Sequence, residues 1–158
     1  NVVASGRLIK QKGFDVLIKS FELIVKENSK YHLHIIGEDV IGELLKLKEL
    51  VKSLALESYI TFHGFQKNPY NFYKNADIYV LSSRWEGLPN TVLENLYLNK
   101  PIIATRCIPF MNELITHGVN GWLVEVENVT ELSQADINNN SLADFDINSL
   151  FQLENYNE

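Results

Sequence analysis

The 158-residue chain is 46% hydrophobic and 22% charged, a composition typical of one folded globular domain. No stretch approaches the roughly 20 apolar residues of a membrane span, and a single cysteine, Cys107, excludes an internal disulfide. The net charge of −6 is uneven, because residues 1–106 contain all 14 Lys and Arg with 11 acidic residues, whereas residues 107–158 contain nine acidic residues alone. This acidic half argues against nucleic-acid binding, which requires a basic face against the phosphates.

Short apolar runs alternate along the chain with segments of helical periodicity. The pattern predicts strands at residues 2–5, 33–36, 59–62, 78–81, 101–105 and 121–126, and helices at 13–28, 41–56, 69–75, 90–99 and 110–117. Strands of this length between helices are typical of βαβ units, and continuously apolar strands indicate a sheet covered on both faces. The predicted fold class is therefore α/β, a doubly wound, Rossmann-like parallel sheet of about six strands with helices on both faces.

No clear periodicity is recognisable after residue 127, where the chain becomes rich in Asn and acidic residues. We expect residues 1–127 to form one domain and residues 128–158 an acidic tail that is partly ordered at most. The chain opens on an apolar, strand-like segment, has neither an initiator methionine nor a signal peptide, and contains one methionine, Met111. We interpret it as a piece of a longer protein, cut at a domain boundary.

The loop after the first predicted strand combines glycines with two cations. Gly6 permits a tight turn or a close ligand approach, and Gly13 opens the first predicted helix. Arg7 and Lys12 lie between them, one a bidentate fork and the other a point charge. Such a loop suits a diphosphate, although two solvated surface cations would give the same pattern. No G-x-G occurs in the chain, so a nicotinamide dehydrogenase or P-loop ATPase loses its main support.

The loop after the fourth predicted strand supplies two carboxylates. Glu86 lies in the loop, and Glu94 lies about one turn inside the helix that follows the Gly87–Asn90 turn. Because helical side chains lean toward the helix N-terminus, Glu94 is predicted to point back toward Glu86 in one cleft. A carboxylate can accept hydrogen bonds from vicinal hydroxyls, as it does on ribose in dinucleotide sites. A capping acid beside an exposed one would also explain the spacing.

Four motifs that follow one another at matching intervals carry a resemblance to a known family. They are Gly6-Arg7-Leu8 with Lys12-Gly13, Ser83-Arg84-x-Glu86-Gly87-x-Pro89-Asn90 with Glu94, Lys100-Pro101-Ile102-Ile103-Ala104-Thr105, and Glu113-Leu114-Ile115 with Gly118-Val119-Asn120-Gly121-Trp122-Leu123-Val124. The series resembles the C-terminal, nucleotide-sugar-binding domain of a group 1 (family 4) retaining glycosyltransferase of the GT-B fold. Glu86 and Glu94 match the E-x7-E motif of that family, while the helix that usually ends this domain is not recognisable after Glu127.

The resemblance implies roles for individual residues. Arg7 and Lys12 would bind the donor diphosphate and neutralise the leaving nucleotide, Glu86 would face the transferred sugar, and Glu94 would hold the ribose hydroxyls. These three, Arg7, Lys12 and Glu86, are the catalytic candidates. The other candidate substrate-binding residues would line the same cleft. Backbone groups around Gly87, Leu88 and Pro89 would contact the sugar and phosphate, and the loop with Gly64 and Phe65 would contact the base. Gly6 and Gly37 would also line the cleft.

The implied reaction is hexose transfer from a UDP- or GDP-linked donor to a glycan or lipid-linked acceptor, in polysaccharide or glycoconjugate biosynthesis. We expect no cofactor and no metal, and the four histidines, which lack metal-ligand spacing, are interpreted as structural or surface groups. The acceptor domain would lie in the missing N-terminal half, so the fragment alone is expected to be inactive. The expected location is cytoplasmic, with peripheral contact of the whole enzyme with the inner membrane face as an option.

Two other kinds of function remain open from the sequence. One is a non-catalytic module that senses nucleotide sugars or binds a partner with the same fold. The other is one half of a GT-B epimerase or phosphorylase, which would need acid and base groups from elsewhere or take free phosphate. The retained Arg7, Lys12, Glu86 and Glu94 argue against an inactive copy.

Overall fold

The computed structural model describes residues 1–135, which form a single six-stranded parallel sheet. Its order is β3-β2-β1-β4-β5-β6, the arrangement of a doubly wound Rossmann-like sheet. The strands are β1 (Val2–Ser5), β2 (Leu33–Ile36), β3 (Ile60–Phe62), β4 (Ile78–Leu81), β5 (Ile102–Thr105) and β6 (Gly121–Val124). The helices are α1 (Phe14–Glu27), α2 (Glu43–Ser53), α3 (Tyr70–Asn75), α4 (Asn90–Tyr97), α5 (Met111–Leu114) and α6 (Val129–Gln134).

Both faces of the sheet are covered, as the apolar strands predicted. One core contains Leu17, Ile18 and Phe21 of α1 together with side chains of α2 and α6. The core on the opposite face contains Tyr73 of α3, Val92 of α4 and residues of α5. Each fully buried Leu, Ile or Phe contributes on the order of 2 kcal/mol of hydrophobic stabilisation. The predicted fold class is confirmed.

Several helices are shorter than their sequence patterns predict. Local contacts explain the early end of α5 and the late start of α2. The predicted helix at residues 110–117 becomes α5, Met111–Leu114. Buried Asn120 ends it, because its amide donates to the Leu114 carbonyl at 2.9 Å and accepts from the Thr116 amide at 2.8 Å. Helix α2 begins at Glu43, later than predicted, because Asp39 accepts the Glu43 amide at 2.8 Å and Gly42, just before the helix, adopts a positive φ of 78°.

Helix α6 lies in a segment for which the sequence pattern predicted no regular element. The Asn128 side chain accepts the Glu131 amide at 3.0 Å, and the Glu131 carboxylate accepts from the Asn128 side-chain amide at 3.1 Å. Leu132 and Ala135, both buried, join the core beneath α1. The rest of the predicted tail, residues 136–158, lies outside the described residues. Within residues 1–135, no helix has the length and apolar character that crossing a membrane requires.

The chain reverses its direction of winding at β1. This strand pairs with β2 on one side and with β4 on the other, so the loops after β1 and β4 diverge at the carboxyl edge of the sheet. In doubly wound sheets this divergence forms the crevice where ligands bind. Both loops singled out from the sequence leave the sheet at this position.

Candidate nucleotide-sugar site

The loops after β1 and β4 are joined by hydrogen bonds along their length. The Arg84 amide donates to the Gln11 carbonyl at 2.7 Å, and the Gln11 side chain donates to the Trp85 carbonyl at 2.9 Å. The Ser82 hydroxyl donates to the Lys12 carbonyl at 2.9 Å. Each polar backbone group in this contact has a partner inside the protein, which fixes the two loops relative to each other.

Gly13 allows this close approach. Its φ is +64°, a left-handed conformation, and a Cβ atom placed on it would lie 2.1 Å from the Ser82 carbonyl oxygen. A side chain of any kind would therefore push the two loops apart. The glycine noted in the sequence as the start of α1 is required where that helix meets the exit of β4.

Lys12 and Glu86 form an ion pair between the two loops. Lys12 Nζ donates to Glu86 Oε1 at 2.6 Å, and the Ser83 hydroxyl donates to the same oxygen at 2.6 Å. The two charged side chains are 17% and 7% exposed, so this pair is largely shielded from water. Within residues 1–135, Glu86 Oε2 accepts no hydrogen bond, and this oxygen is available to a ligand.

Arg7 differs from Lys12 although both lie in the same loop. The Arg7 side chain is exposed and has no hydrogen-bond or ion-pair partner within the described part of the chain. Lys12 is half-buried and paired with Glu86. Of the two candidate cations in the loop after β1, Arg7 has all its donors free within residues 1–135, and Lys12 is held beside a carboxylate.

Three comparisons with known proteins bear on this arrangement. Residues 1–137 match the family model described as glycosyl transferases group 1. The chain belongs to this family. An uncharacterized glycosyltransferase of Methanocaldococcus jannaschii is 43% identical over 116 residues, which cover 73% of this chain and 28% of the relative.

Two further matches extend the comparison. The lipopolysaccharide core biosynthesis glycosyltransferase LpsD of Rhizobium meliloti is 36% identical over 105 residues, covering 66% of this chain and 29% of the relative. Anabaena HepE, solved in complex with UDP and glucose, superimposes with a TM-score of 0.76 and 24% identity, covering 96% of this chain and 46% of HepE. The chain thus spans less than a third of the length of both curated relatives.

Glu94 of this group 1 glycosyltransferase chain lies half-buried in α4, where burial raises the pKa of its carboxyl group. Burial also raises the pKa of Tyr73, and the nearby Glu94 carboxylate adds to that rise. Since the Tyr73 hydroxyl lies 2.7 Å from Ser5 Oγ at the end of β1, Glu94 is close to the crevice. It lines a cavity of about 670 Å³ together with Asn68, Tyr70, Lys74, Leu93, Tyr97 and Leu98. The two glutamates therefore have different neighbours, and their predicted convergence remains a prediction.

Three glycines predicted to line the cleft lie at the exits of β1, β2 and β3. The Gly6 amide donates to the Ile36 carbonyl and the Gly37 amide to the Gly64 carbonyl, each at 2.9 Å. A Cβ atom on Gly37 would lie 1.7 Å from the Gly6 carbonyl oxygen, so no other residue fits this exit. Phe65, after Gly64, is 70% exposed, which leaves its ring free to contact a ligand.

The turn before α4 presents backbone donors. The amides of Gly87 and Leu88 donate no hydrogen bond to any described residue, whereas the Leu88 carbonyl accepts the Asn90 amide at 2.9 Å. Pro89, the residue preceding α4, has no N–H to offer. This segment follows Glu86 directly and could bind an anion or a hydroxyl oxygen through two free amides.

Ser83 and Arg84 belong to one of the sequence motifs, but the sequence indicated no role for either residue. Ser83 holds the Glu86 carboxylate, and Arg84 bridges the loops after β1, β4 and β6. Ser5, Tyr73 and Tyr79 form a buried hydroxyl cluster at the end of β1, which the sequence did not indicate either. Apart from the local Ser83–Glu86 contact, these bonds join positions 43 to 74 residues apart in the chain, and only the fold reveals them.

Three of the four histidines lie in one row across β2 and β3, from His32, which precedes β2, to His63, which follows β3. His34 Nδ1 and His63 Nε2 are 2.9 Å apart, and His32 Nε2 lies 2.8 Å from the Thr61 hydroxyl. Burial lowers the pKa of His34 to about 4, with neighbouring histidines adding to the effect. His34 is therefore neutral at pH 7, and the ring of His63 packs against the ring of Phe72 in α3.

Proposed function

We propose that this chain is the donor-binding half of a retaining glycosyltransferase that takes a hexose from a nucleoside diphosphate sugar. The whole enzyme would transfer it to a glycan or lipid-linked acceptor, held by an N-terminal domain, in polysaccharide or glycoconjugate synthesis. The observation that carries this proposal is the pairing of Lys12 with Glu86 at the point where β1 and β4 diverge. Arg7, in the same loop as Lys12, has no partner among residues 1–135. One loop supplies cations for a diphosphate, and the other supplies a carboxylate for a sugar.

The diphosphate would be bound by Arg7 and Lys12. Arg7 has its five N–H donors free for bidentate contact with phosphate oxygens, within the described chain. Lys12 would exchange the Glu86 carboxylate for a phosphate oxygen. As the bond from the anomeric carbon to the phosphate oxygen breaks, negative charge grows on the leaving diphosphate, and the two cations stabilise it.

Glu86 is prepared for this exchange because Ser83 also holds it. When Lys12 turns to a phosphate, the Ser83 hydroxyl still donates to Glu86 Oε1 and keeps the carboxylate in place. Its other oxygen can then accept a hydrogen bond from a sugar hydroxyl. The free amides of Gly87 and Leu88, next in the chain, would bind oxygens of the sugar or of the β-phosphate.

Glu94 would bind the ribose of the donor. Its carboxylate is half-buried and close to the Tyr73 hydroxyl at the end of β1. A carboxylate in this position accepts hydrogen bonds from both vicinal hydroxyls of ribose. The exposed Phe65 and the Gly64 exit of β3 lie in the loop where the base edge would bind.

The known relatives support the same conclusion. HepE, which shares the fold, was solved with UDP and glucose, and LpsD is named for lipopolysaccharide core synthesis. We propose that the donor of this chain is likewise UDP- or GDP-linked. Since two cations can neutralise the diphosphate, the proposed binding requires no metal and no cofactor. A cytoplasmic location follows for the whole enzyme from the supply of nucleotide sugars there.

Calorimetric titration of the 158-residue chain with UDP, GDP, ADP and inorganic phosphate, each with EDTA or magnesium, tests the proposal. The expected result is micromolar to low-millimolar binding of one nucleoside diphosphate, with the same Kd in EDTA. Binding of phosphate alone would favour a phosphorylase, and binding that requires magnesium would contradict the metal-free site. A folded chain that binds none of the four would overturn the donor-half assignment for this segment.

A further inference from the structure

Arg84 directs its charge into the protein, unlike Arg7. Its side chain is 11% exposed. Nη1 and Nη2 donate to the two carboxylate oxygens of Asp15, each at 2.9 Å, and Nε donates to Glu127 Oε1 at 2.7 Å. Nη1 also donates to the Lys10 carbonyl at 2.5 Å. Four of the five guanidinium N–H donors are therefore used by the chain itself.

The partners of Arg84 belong to three separate segments. Lys10 begins the 3-10 turn (Lys10–Lys12) that contains the ligand-binding candidate Lys12, and Asp15 lies in the first turn of α1. Glu127 follows β6 and precedes the Asn128 cap of α6. Arg84 itself lies two residues before Glu86. One side chain thus cross-links the loop that carries Glu86 to the loop that carries Lys12.

A direct phosphate contact by Arg84 is disfavoured by these bonds. An anion would have to displace Asp15, leaving a half-buried carboxylate without its bidentate partner. Burial raises the pKa of Asp15, but the hydrogen bonds and charge of Arg84, together with backbone hydrogen bonds, hold that pKa below its ordinary value. The hydrogen bonds that Arg84 donates to Asp15 raise the pKa of Arg84 in turn. The pair is a structural unit and not a vacant anion site.

We propose that Arg84 is a positioning residue of the transfer reaction, which fixes the separation at which Lys12 and Glu86 meet. Its Nη atoms connect the loop after β4 to the Lys10 carbonyl and to Asp15 of α1. Its Nε connects the same loop to Glu127 in the segment after β6. The planar guanidinium is required because the Asp15 contact is bidentate and the Lys10 contact shares the same Nη1. This inference rests on the proposed function for its consequence in catalysis, but its geometric part can be measured without a ligand.

A double-mutant cycle measures the geometric part. Lys12→Met and Glu86→Gln, singly and together, are compared in urea unfolding in the wild-type and the Arg84→Gln backgrounds. We expect Lys12 and Glu86 to be coupled by about fivefold in the unfolding equilibrium constant in the wild-type background. In the Arg84→Gln background the coupling should disappear. Undiminished coupling there would overturn the proposal.

Arg106→Gln is the matched control, because Arg106 also pairs with the segment after β6 through Glu125, but not with the loop after β1. It should leave the coupling unchanged. If Arg84→Gln fails to fold, Glu127→Gln removes only the outer contact and should reduce the coupling partly. Arg84→Lys retains the charge without the fork, so full coupling in that variant would contradict the bidentate requirement.

The functional part is tested by calorimetry with UDP and with uridine. Arg84→Gln should raise the Kd for UDP about tenfold, as expected when a charged hydrogen bond is misplaced, and should leave uridine binding unchanged. Equal losses for both ligands would indicate general loosening and overturn the positioning role. If the wild-type chain binds neither ligand, the same pair of measurements is made with GDP and guanosine. If GDP does not bind either, the proposed function fails, while the cycle above still decides whether Arg84 positions the pair.

Discussion

The loops after β1 and β4 and the loops after β2 and β3 leave the same edge of one sheet, but they are held differently. Side-chain hydrogen bonds and ion pairs, centred on Lys12, Glu86 and Arg84, join the first two loops. The second two are joined through the backbone, from the Gly37 amide to the Gly64 carbonyl, and expose Ile41 and Phe65. The comparison distinguishes a rigid part, the loops after β1 and β4, from an open part, the loops after β2 and β3. Under the proposed function the rigid part would bind the diphosphate and the open part the base.

Gly13→Ala should break the rigid part most strongly. The new methyl group would overlap the Ser82 carbonyl oxygen, in a backbone conformation that alanine disfavours. We expect a loss of about 3 kcal/mol in the free energy of unfolding, measured in urea. Gly64→Ala is the matched control, because Gly64 has a similar φ of +66° but open space around it. Equal losses would show that the two pairs of loops are held alike.

Removing Arg7 and Lys12, the two candidate phosphate-binding cations, should abolish most nucleotide binding. Arg7→Met with Lys12→Met is expected to raise the Kd for UDP about 100-fold, since each cation contributes charge-assisted hydrogen bonds to phosphate. Uridine, which has no phosphate, should bind the variant as it binds the wild-type chain. Lys19→Met, an exposed cation of α1, serves as the charge control. A UDP affinity that changes no more than in this control would refute the phosphate assignment.

Glu94→Gln should weaken UDP binding about tenfold, because a neutral amide replaces a charged acceptor at the ribose. The same substitution should have little effect on 2′-deoxy-UDP, which lacks one of the two hydroxyls. Calorimetry with both nucleotides separates the ribose contact from a change of the cavity. Glu113→Gln, on an exposed part of α5, is the control. An equal loss for both nucleotides would remove Glu94 from the ribose site.

Acid should destabilise the half of the sheet from which the open part leaves, because His34 lies in β2. Because the pKa of His34 is lowered to about 4 in the folded chain, the unfolded chain binds more protons below its ordinary pKa of 6.5. The contribution to stability is present above pH 6.5 and is lost as the pH falls toward 4. Allowing for partial exposure, we expect Tm to drop by about 3 °C from pH 7 to pH 5. His34→Asn should remove much of this pH dependence. An unaltered slope of Tm against pH would show that another group causes it.

The strands were predictable because each is a short, mostly apolar run between turn residues, and β1, β2 and β4 have the predicted bounds. Helix α6 was not predicted because few of its positions are apolar. The pattern Asn128-x-x-Glu131, which resembles a capping box, was nevertheless present in the sequence as a helix start. The early end of α5 depends on the Asn120 side chain folding back onto its carbonyl, which periodicity does not register.

The two loops that meet at the crevice were predictable, but the geometry of the candidate site was not. Glycine spacing and the two glutamates identified the loops, since carboxyl ends of parallel strands meet at one edge. The pairing of Lys12 with Glu86 joins positions 74 apart in sequence, and Arg84 reaches across 69 residues to Asp15. Such contacts depend on the register of β1 against β4, which no local pattern contains.

The most direct test of the account is to map UDP onto the chain by amide chemical shifts in NMR. The account predicts saturable shifts at residues 6–13 and 83–94, with smaller ones at 37–38 and 64–65, all at the carboxyl edge of the sheet. Shifts confined to the opposite edge, or to the cavity beside His34 and Phe72, would contradict it. So would a folded chain whose spectrum neither UDP nor GDP changes.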